Sequence, residues 1–232
     1  MLRQPSKRAV RPELVIVGAG GFGRETAEAA YAAGWRLRGF LDDNPALHGQ
    51  RVDGVPVLGP AELVHELPRA KVLLCTVNPR VYTSRLDLAE RLALPERRYA
   101  TLVHPSAGVA ARAELGPGTV LLAQTVVTAR ASVGAHVAVM PQTVLTHDVE
   151  VAELATLASG VRLGGGCRLE RGCYLGAGAL LREYTTVGRW SLVGMGSVVL
   201  HDVPPHEVWA GAPARYLRAA VGAPGRAAPA LP

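Results

Sequence analysis

The chain has 232 residues, 49% of them hydrophobic, 19% charged and only 5% aromatic, with 26 Gly; this allows one or two domains with a core of Val, Leu and Ala, and excludes wholesale disorder. No uncharged apolar run is long enough for a transmembrane helix, and the start MLRQPSKRAVRPE has no apolar segment of a secretory signal. The formal net charge is +6, yet beyond Arg3, Lys7, Arg8 and Arg11 the basic residues are dispersed without interleaved aromatics, which argues against nucleic acid, and three cysteines are too few for a disulfide scaffold, which argues for a reducing cytoplasm.

Residues 1–12 read as a basic tail, and residues 13–106 as an α/β domain. ELVIVGAG (13–20) predicts a strand, FGRETAEAAYAAG (22–34) an alanine-rich helix stopped by Gly34, and RLRGFLD (36–42) a second strand. VPVLG, PAELVHEL and KVLLCTV follow as strand, short helix and buried strand; residues 80–94 read as a helix, and RYATLVHP closes the domain. Alternating strands and helices imply a small parallel sheet, the size of one mononucleotide-binding half.

Gly18, Gly20 and Gly23 fit G-x-G-x-x-G between a strand and a helix, with Asp42 ending the next strand. The pattern supports a phosphate at the helix N-terminus and an acidic group beside a ribose or base. The same glycines also suit tight strand-to-helix packing, and Asp42-Asp43-Asn44-Pro45 also reads as a plain turn. Lys7 and Lys71 complete no Walker-type loop.

Residues 107–204 obey a period of six. Counting in sixes from Val109 to Val199 gives sixteen positions, all Val or Leu, and four residues after each stands a small or β-branched residue, from Ala113 to Val203. A period of six fits neither an α-helix nor a coiled coil; it fits short strands joined by tight turns, three to a coil, forming a β-helix with a triangular prism core. Coils should stack at roughly 4.8 Å, the usual inter-strand spacing. The period does not give the hand; the usual crossover preference points to a right-handed coil. Glycines following the aliphatic positions (Gly116, Gly134, Gly164, Gly176, Gly188, Gly194) mark turns that need unusual dihedrals. Cys167 and Cys173 occupy the small inward position and read as core filler.

Of the seven histidines, His48 and His65 read as solvated, His104 as structural at the domain junction, and His136 as lying on a turn. His147 is followed by Asp148, and one coil further on stands Gly165, within Gly164-Gly165-Gly166. An imidazole one strand spacing from a bare backbone N–H suits a general base beside an oxyanion donor, the needs of acyl transfer; a solvated turn histidine is the plain alternative. His201 and His206 have a zinc-compatible spacing, but Asp202-Val203-Pro204-Pro205 breaks the repeat and no third histidine is placed to complete a site. Residues 205–220 form a C-terminal segment, and residues 221–232 an Ala/Pro-rich disordered tail.

The ordered set VIVGAGGFGRE, FLDDNP, LVHPSA, the THD-bearing repeat and VWAGAPARYL resembles the bacterial sugar acyltransferases, among them sialic acid O-acetyltransferases and UDP-amino-sugar N-acetyltransferases. The resemblance covers roughly residues 13–218. It implies a left-handed β-helix after a Rossmann-like domain, a homotrimer with acetyl-CoA between neighbouring prisms, and acetyl transfer to an amino or hydroxyl group of a sugar, nucleotide-linked in the UDP-sugar enzymes; the cysteine count and histidine spacing add the expectation of a cytoplasmic protein without metal. By position it makes His147 the base, Asp148 its acidic neighbour and Gly165 the thioester-contacting amide; Gly18, Gly20, Gly23, Asp42 and Asp43 would hold the nucleotide-sugar, and Gly211, Pro213 and Arg215 would border CoA. Three positions depart from the family pattern: Thr156 stands where a second histidine is common nine residues after the base, Met140 replaces an asparagine, and Phe22 replaces a histidine of the glycine loop. These fall on the acceptor side, and Thr156 is carried over as an acceptor contact. A nicotinamide-binding oxidoreductase or sensor using the glycine loop, and a zinc carbonic anhydrase-like β-helix, are the competing readings.

Overall fold

The computed structural model describes residues 12–77, 81 and 83–220; the basic tail up to residue 11 and the Ala/Pro-rich tail 221–232 lie outside the described residues. The first strand, β1 (Glu13–Val17), is buried from Leu14 to Val17, as expected of a parallel strand covered on both faces. Then come α1 (Gly21–Ala32), β2 (Arg36–Leu41), β3 (Arg51–Val52), β4 (Val55–Gly59), β5 (Lys71–Leu74) and α2 (Ser84–Leu92). The sheet order is β3-β4-β2-β1-β5, with β1 flanked by parallel β2 and β5. One expectation is refined here and one is corrected. Ala61–Glu66 forms a 3-10 helix, and β3 pairs antiparallel with β4. The turn between them carries Asp53 and Gly54, both at positive φ, the backbone an Asp-Gly hairpin turn requires.

From Leu102 onward the chain winds into a three-sided prism. Two-residue strands recur at the predicted period and pair parallel with the strand one coil away, as Val126–Val127 does with Val144–Leu145. One sheet starts at Leu102–Val103, the second at Gly108–Val109, and the third at Glu114–Leu115. The inward Val and Leu residues from Leu121 to Val199 are all buried, with the small residues packed between them. Leu102–Val103, placed by the sequence in the first domain, is already a rung of the prism, paired with Val120–Leu121. Val103 lies one period before Val109, so the repeat begins earlier than residue 107.

The unusual dihedrals fall two residues later than the sequence predicts. Every sixth residue from Gly118 to Gly196, the second residue of each turn, has positive φ, whereas Gly116, Gly134, Gly164, Gly176, Gly188 and Gly194 do not. Those glycines answer to close packing: a Cβ on Gly164 would stand 2.6 Å from the Glu183 amide nitrogen, and one on Gly176 2.5 Å from that of Met195.

The three prism faces differ. The sheet beginning at Leu102 is covered by the α/β domain: Val120, Leu122 and Ala138 share one buried cluster with Leu14, Ile16 and Phe22. The second sheet turns Val126, Val144, Arg162, Leu180 and Val198 outward, with Val126 and Leu180 exposed. The third turns Glu114, Ser132, Glu150, Arg168 and Thr186 outward. The terminal hairpin, Glu207–Ala210 and Arg215–Ala219, extends the first sheet, and its last strand runs antiparallel.

Arg85, at the start of α2, is 2% exposed and crosses the domain boundary. It donates to the Thr76 carbonyl on one side and to the Leu154 and Ala155 carbonyls and Thr156 Oγ1 on the other. Nearby, the His136 ring lies against Gly118 and meets Tyr99 edge-on at 4.4 Å. Burial first, and the Arg85 charge second, lower the His136 pKa to about 4. The unfolded chain, with histidine near 6.5, therefore binds this proton earlier on acidification, so the stabilising effect is complete above that value and lost as pH falls toward 4. Between pH 7 and 4.5 the wild type should lose about 2 kcal/mol more stability than His136→Gln in urea unfolding; equal losses would refute this. Glutamine is compatible with this backbone, since Gln124 and Gln142 occupy equivalent turn positions at positive φ.

Candidate functional site

Two places gather chemistry-bearing groups. The first is the prism edge between the second and third sheets, opposite the face covered by the α/β domain. Its turns stack coil upon coil: Ala129-Arg130, His147-Asp148, Gly165-Gly166 and Glu183-Tyr184. Backbone bonds hold the stack, from Asp148 N–H to the Ala129 carbonyl, Gly166 N–H to His147, and Tyr184 N–H to Gly165. The His147 ring lies over Gly165, where a Cβ would stand 2.4 Å from Cε1 and 2.5 Å from Nε2. Only glycine leaves the ring room. The Gly165 N–H has no acceptor among the described residues.

His147 Nδ1 is 2.9 Å from Asp148 Oδ2. With Asp148 ionised, that bond puts the proton on Nδ1 and leaves the Nε2 lone pair free. Asp148 Oδ1 pairs with Arg130 Nη2 at 2.7 Å. The hydrogen bond from His147, and then the charge and hydrogen bond of Arg130, hold the Asp148 carboxyl below the usual carboxylate range. Tyr184, 77% exposed, lays its ring on Gly166. Asp148, Gly166 and Tyr184, with Glu150, Arg168 and Thr186, rim a depression of about 450 Å³ beside the histidine.

The second place is a cleft of about 350 Å³ at the carboxyl ends of β1, β2 and β5, lined by Gly18, Asp42, Asp43, Thr76, Ser84 and Arg91 among others. Strand order reverses there, β1 sending the chain to β2 on one side and β5 on the other, the crevice where open α/β sheets take ligands. Gly18 and Gly23 are fixed by packing: a Cβ on Gly18 would stand 2.7 Å from the Cys75 carbonyl, and one on Gly23 1.9 Å from that of Gly18. Gly20 is exposed and heads α1, whose N-terminus has no side-chain cap. Asp42 accepts from the Ala19 and Asn44 amides, and so ties the loop to the end of β2. His48, read as solvated, instead bonds the Asp42 carbonyl at 2.7 Å. Asp43 accepts from the Ala61 amide and pairs with Arg91. Burial acts to raise the Asp43 pKa, but the bonds from Arg91 and Ala61 outweigh it and hold the group low.

The remaining expected site residues lie elsewhere. Thr156 is on the covered sheet, 2% exposed and bonded to Arg85; it has no open face for an acceptor within its own chain. Phe22 is core, and Met140 packs against the same cluster. Gly211 and Pro213 form the turn of the terminal hairpin, and Arg215 begins its last strand. Gly211 and Ala214 bond Val198, the third rung beyond Val144, so this turn caps the second sheet at the fourth spacing, roughly 19 Å along the prism at the usual spacing. Sequence reasoning missed Thr76, Ser84, Arg91 and Arg130. The first three meet only in the folded sheet; Arg130 was legible as the residue one coil before Asp148. No group of three or more His, Cys, Asp or Glu able to hold a metal occurs among the described residues, His201 and His206 included. No helix among them is long and apolar enough to cross a membrane.

Residues 13–77 match the family model of the PglD N-terminal domain. A UDP-N-acetylbacillosamine N-acetyltransferase of Bacillus subtilis is 36% identical over 113 residues, 47% of this chain and 51% of that protein; the chain thus spans about half the length of the curated relative it matches. The acetyltransferase domain of PglB from Neisseria gonorrhoeae, solved in complex with acetyl coenzyme A, superposes with a TM-score of 0.80 at 29% identity, over 90% of this chain and all of that one. A mutant of perosamine N-acetyltransferase from Caulobacter crescentus, solved with CoA and GDP-perosamine, gives a TM-score of 0.80 at 25% identity, covering 88% of this chain and 96% of the other. The resemblance to the sugar acyltransferases is borne out, and with it a Rossmann-like domain followed by a left-handed β-helix. The right-handed winding expected from crossover preference is corrected: that rule concerns strands returning to one sheet across a covering helix, whereas here each strand passes by a short turn to the next face.

Proposed function

We propose that this chain is an acetyl-CoA-dependent sugar N-acetyltransferase that acts on an amino-sugar carried by a nucleoside diphosphate. One observation carries the reading: the His147 ring, bonded through Nδ1 to Asp148, lies over Gly165 on an open prism edge. His147 Nε2 takes a proton from the acceptor amine as its nitrogen attacks the thioester carbonyl. The Gly165 N–H stabilises the oxyanion, the C–S bond breaks, and the imidazolium returns the proton to the departing CoA sulfur. Asp148 stabilises the imidazolium meanwhile. No acyl-cysteine is needed: all three cysteines are buried, and burial pushes the Cys75 thiol up to about 12. The thioester arm runs along the edge from His147 toward Gly211, Pro213 and Arg215. The cleft lined by Gly18, Asp42 and Asp43 takes the nucleotide, with the bare start of α1 at Gly20 facing its phosphates and Gly23 keeping the helix close to the loop.

The cleft and the histidine edge lie on opposite sides of one chain, so a nucleotide-sugar in the cleft reaches the base of a neighbouring copy. We assign that contact to the second sheet, whose outward Val126, Val144, Leu180 and Val198 flank the exposed Arg162, and the assembly to a trimer. Acetyl-CoA and the reduced, buried cysteines fit a cytoplasmic setting. The test supplies acetyl-CoA with UDP- or GDP-linked 4-amino-sugars and follows thiol release; release that depends on one of these acceptors is the expected outcome. Absence of release with every nucleotide amino-sugar, from protein that light scattering finds trimeric, would overturn the proposal.

A further inference from the structure

Arg130 has no part in the acyl-transfer scheme, yet it is tied to it. It lies one coil before Asp148, on the neighbouring rung of the same edge, and the Asp148 N–H bonds the Ala129 carbonyl. Its Nη2 meets Asp148 Oδ1 at 2.7 Å while Oδ2 faces His147 Nδ1 at 2.9 Å. The two carboxylate oxygens are thus divided between a cation on one rung and the imidazole on its own. Arg130 is 73%, His147 60% and Asp148 40% exposed, so the arrangement of the three rests on these two contacts and on the ring's seat over Gly165 rather than on burial.

We propose that Arg130 is a positioning residue, which acts through Asp148 to keep the His147 ring over Gly165 with Nε2 turned outward. The proposal rests on the reading of His147 as the base. The simpler role is a staple between rungs, as for Arg168 with Glu150 and Arg171 with Glu153, each pair one coil apart. A staple supports stability and leaves kcat alone. A phosphate contact would instead raise the KM for acetyl-CoA.

Three variants separate these roles: Arg130→Gln, Arg130→Lys and Asp148→Asn. Arg130 sits at positive φ, a backbone that Gln124 and Gln142 already adopt at equivalent turns, so glutamine fits. Arg130→Gln should lower kcat roughly two- to fivefold, the range of an exposed ion pair, with KM for both substrates unchanged. Arg130→Lys should recover most of the loss. In the Asp148→Asn background, Arg130→Gln should cost nothing further, because the carboxylate through which it acts is gone. An unchanged kcat, an equal fold-loss in both backgrounds, or a loss confined to the acetyl-CoA KM would overturn the proposal. Because wild-type turnover is measured first, an inactive wild type would speak against the acyl-transfer reading itself.

Discussion

His147→Ala should lower kcat for thiol release by about 10²- to 10⁴-fold, the usual worth of a positioned general base. The side chain is 60% exposed on a prism edge and contributes nothing to the buried stack, so the melting temperature should stay within a degree or two of wild type, as for most surface changes. The loss should fall on kcat rather than on KM, as the proposed removal of the amine proton during attack requires. A variant that folds normally and keeps more than a tenth of wild-type turnover would remove His147 from the mechanism.

Gly165→Ala should be nearly as damaging, for a geometric reason. Gly165 is not at positive φ, so alanine meets no backbone penalty. Its methyl would stand 2.4 Å from His147 Cε1, which no carbon tolerates. The exposed ring is free to swing away, so folding survives while the base leaves its place. A displacement of about 1 Å in a reacting group costs on the order of 10² in rate. Steady-state kinetics beside a thermal melt would check this; wild-type turnover would mean that the ring works from another position. Gly164→Ala makes the contrast, because there the intruding methyl would meet the Glu183 backbone at 2.6 Å, and the cost would appear in stability instead.

The prism and the histidine edge were legible in the sequence for one reason. A period of six with three strands per coil turns sequence separation into spatial position, so the pairing of His147 with Gly165 follows from counting, as does Arg130 with Asp148. Features set by other contacts were not legible. The hand of the coil leaves no trace in the period. The unusual dihedrals fall two residues after the expected glycines because the turn bends at its second residue, which Gln124, Arg130 and Tyr184 also occupy. Arg85 and His136 lie far apart in sequence, and only the docking of the α/β domain brings them into one buried cluster. For Thr156 the family pattern named an acceptor contact, while the fold gives its hydroxyl to Arg85.

A stack of near-identical parallel rungs is a template for its own growth, since each terminal rung offers the next one unpaired amides and carbonyls. The C-terminal end of the first sheet is closed by the reversed strand Arg215–Ala219, which runs antiparallel to its neighbour and leaves Arg215 and Arg218 in solvent. A parallel rung from a second molecule finds the wrong strand direction there, so the hairpin opposes end-to-end joining through this face.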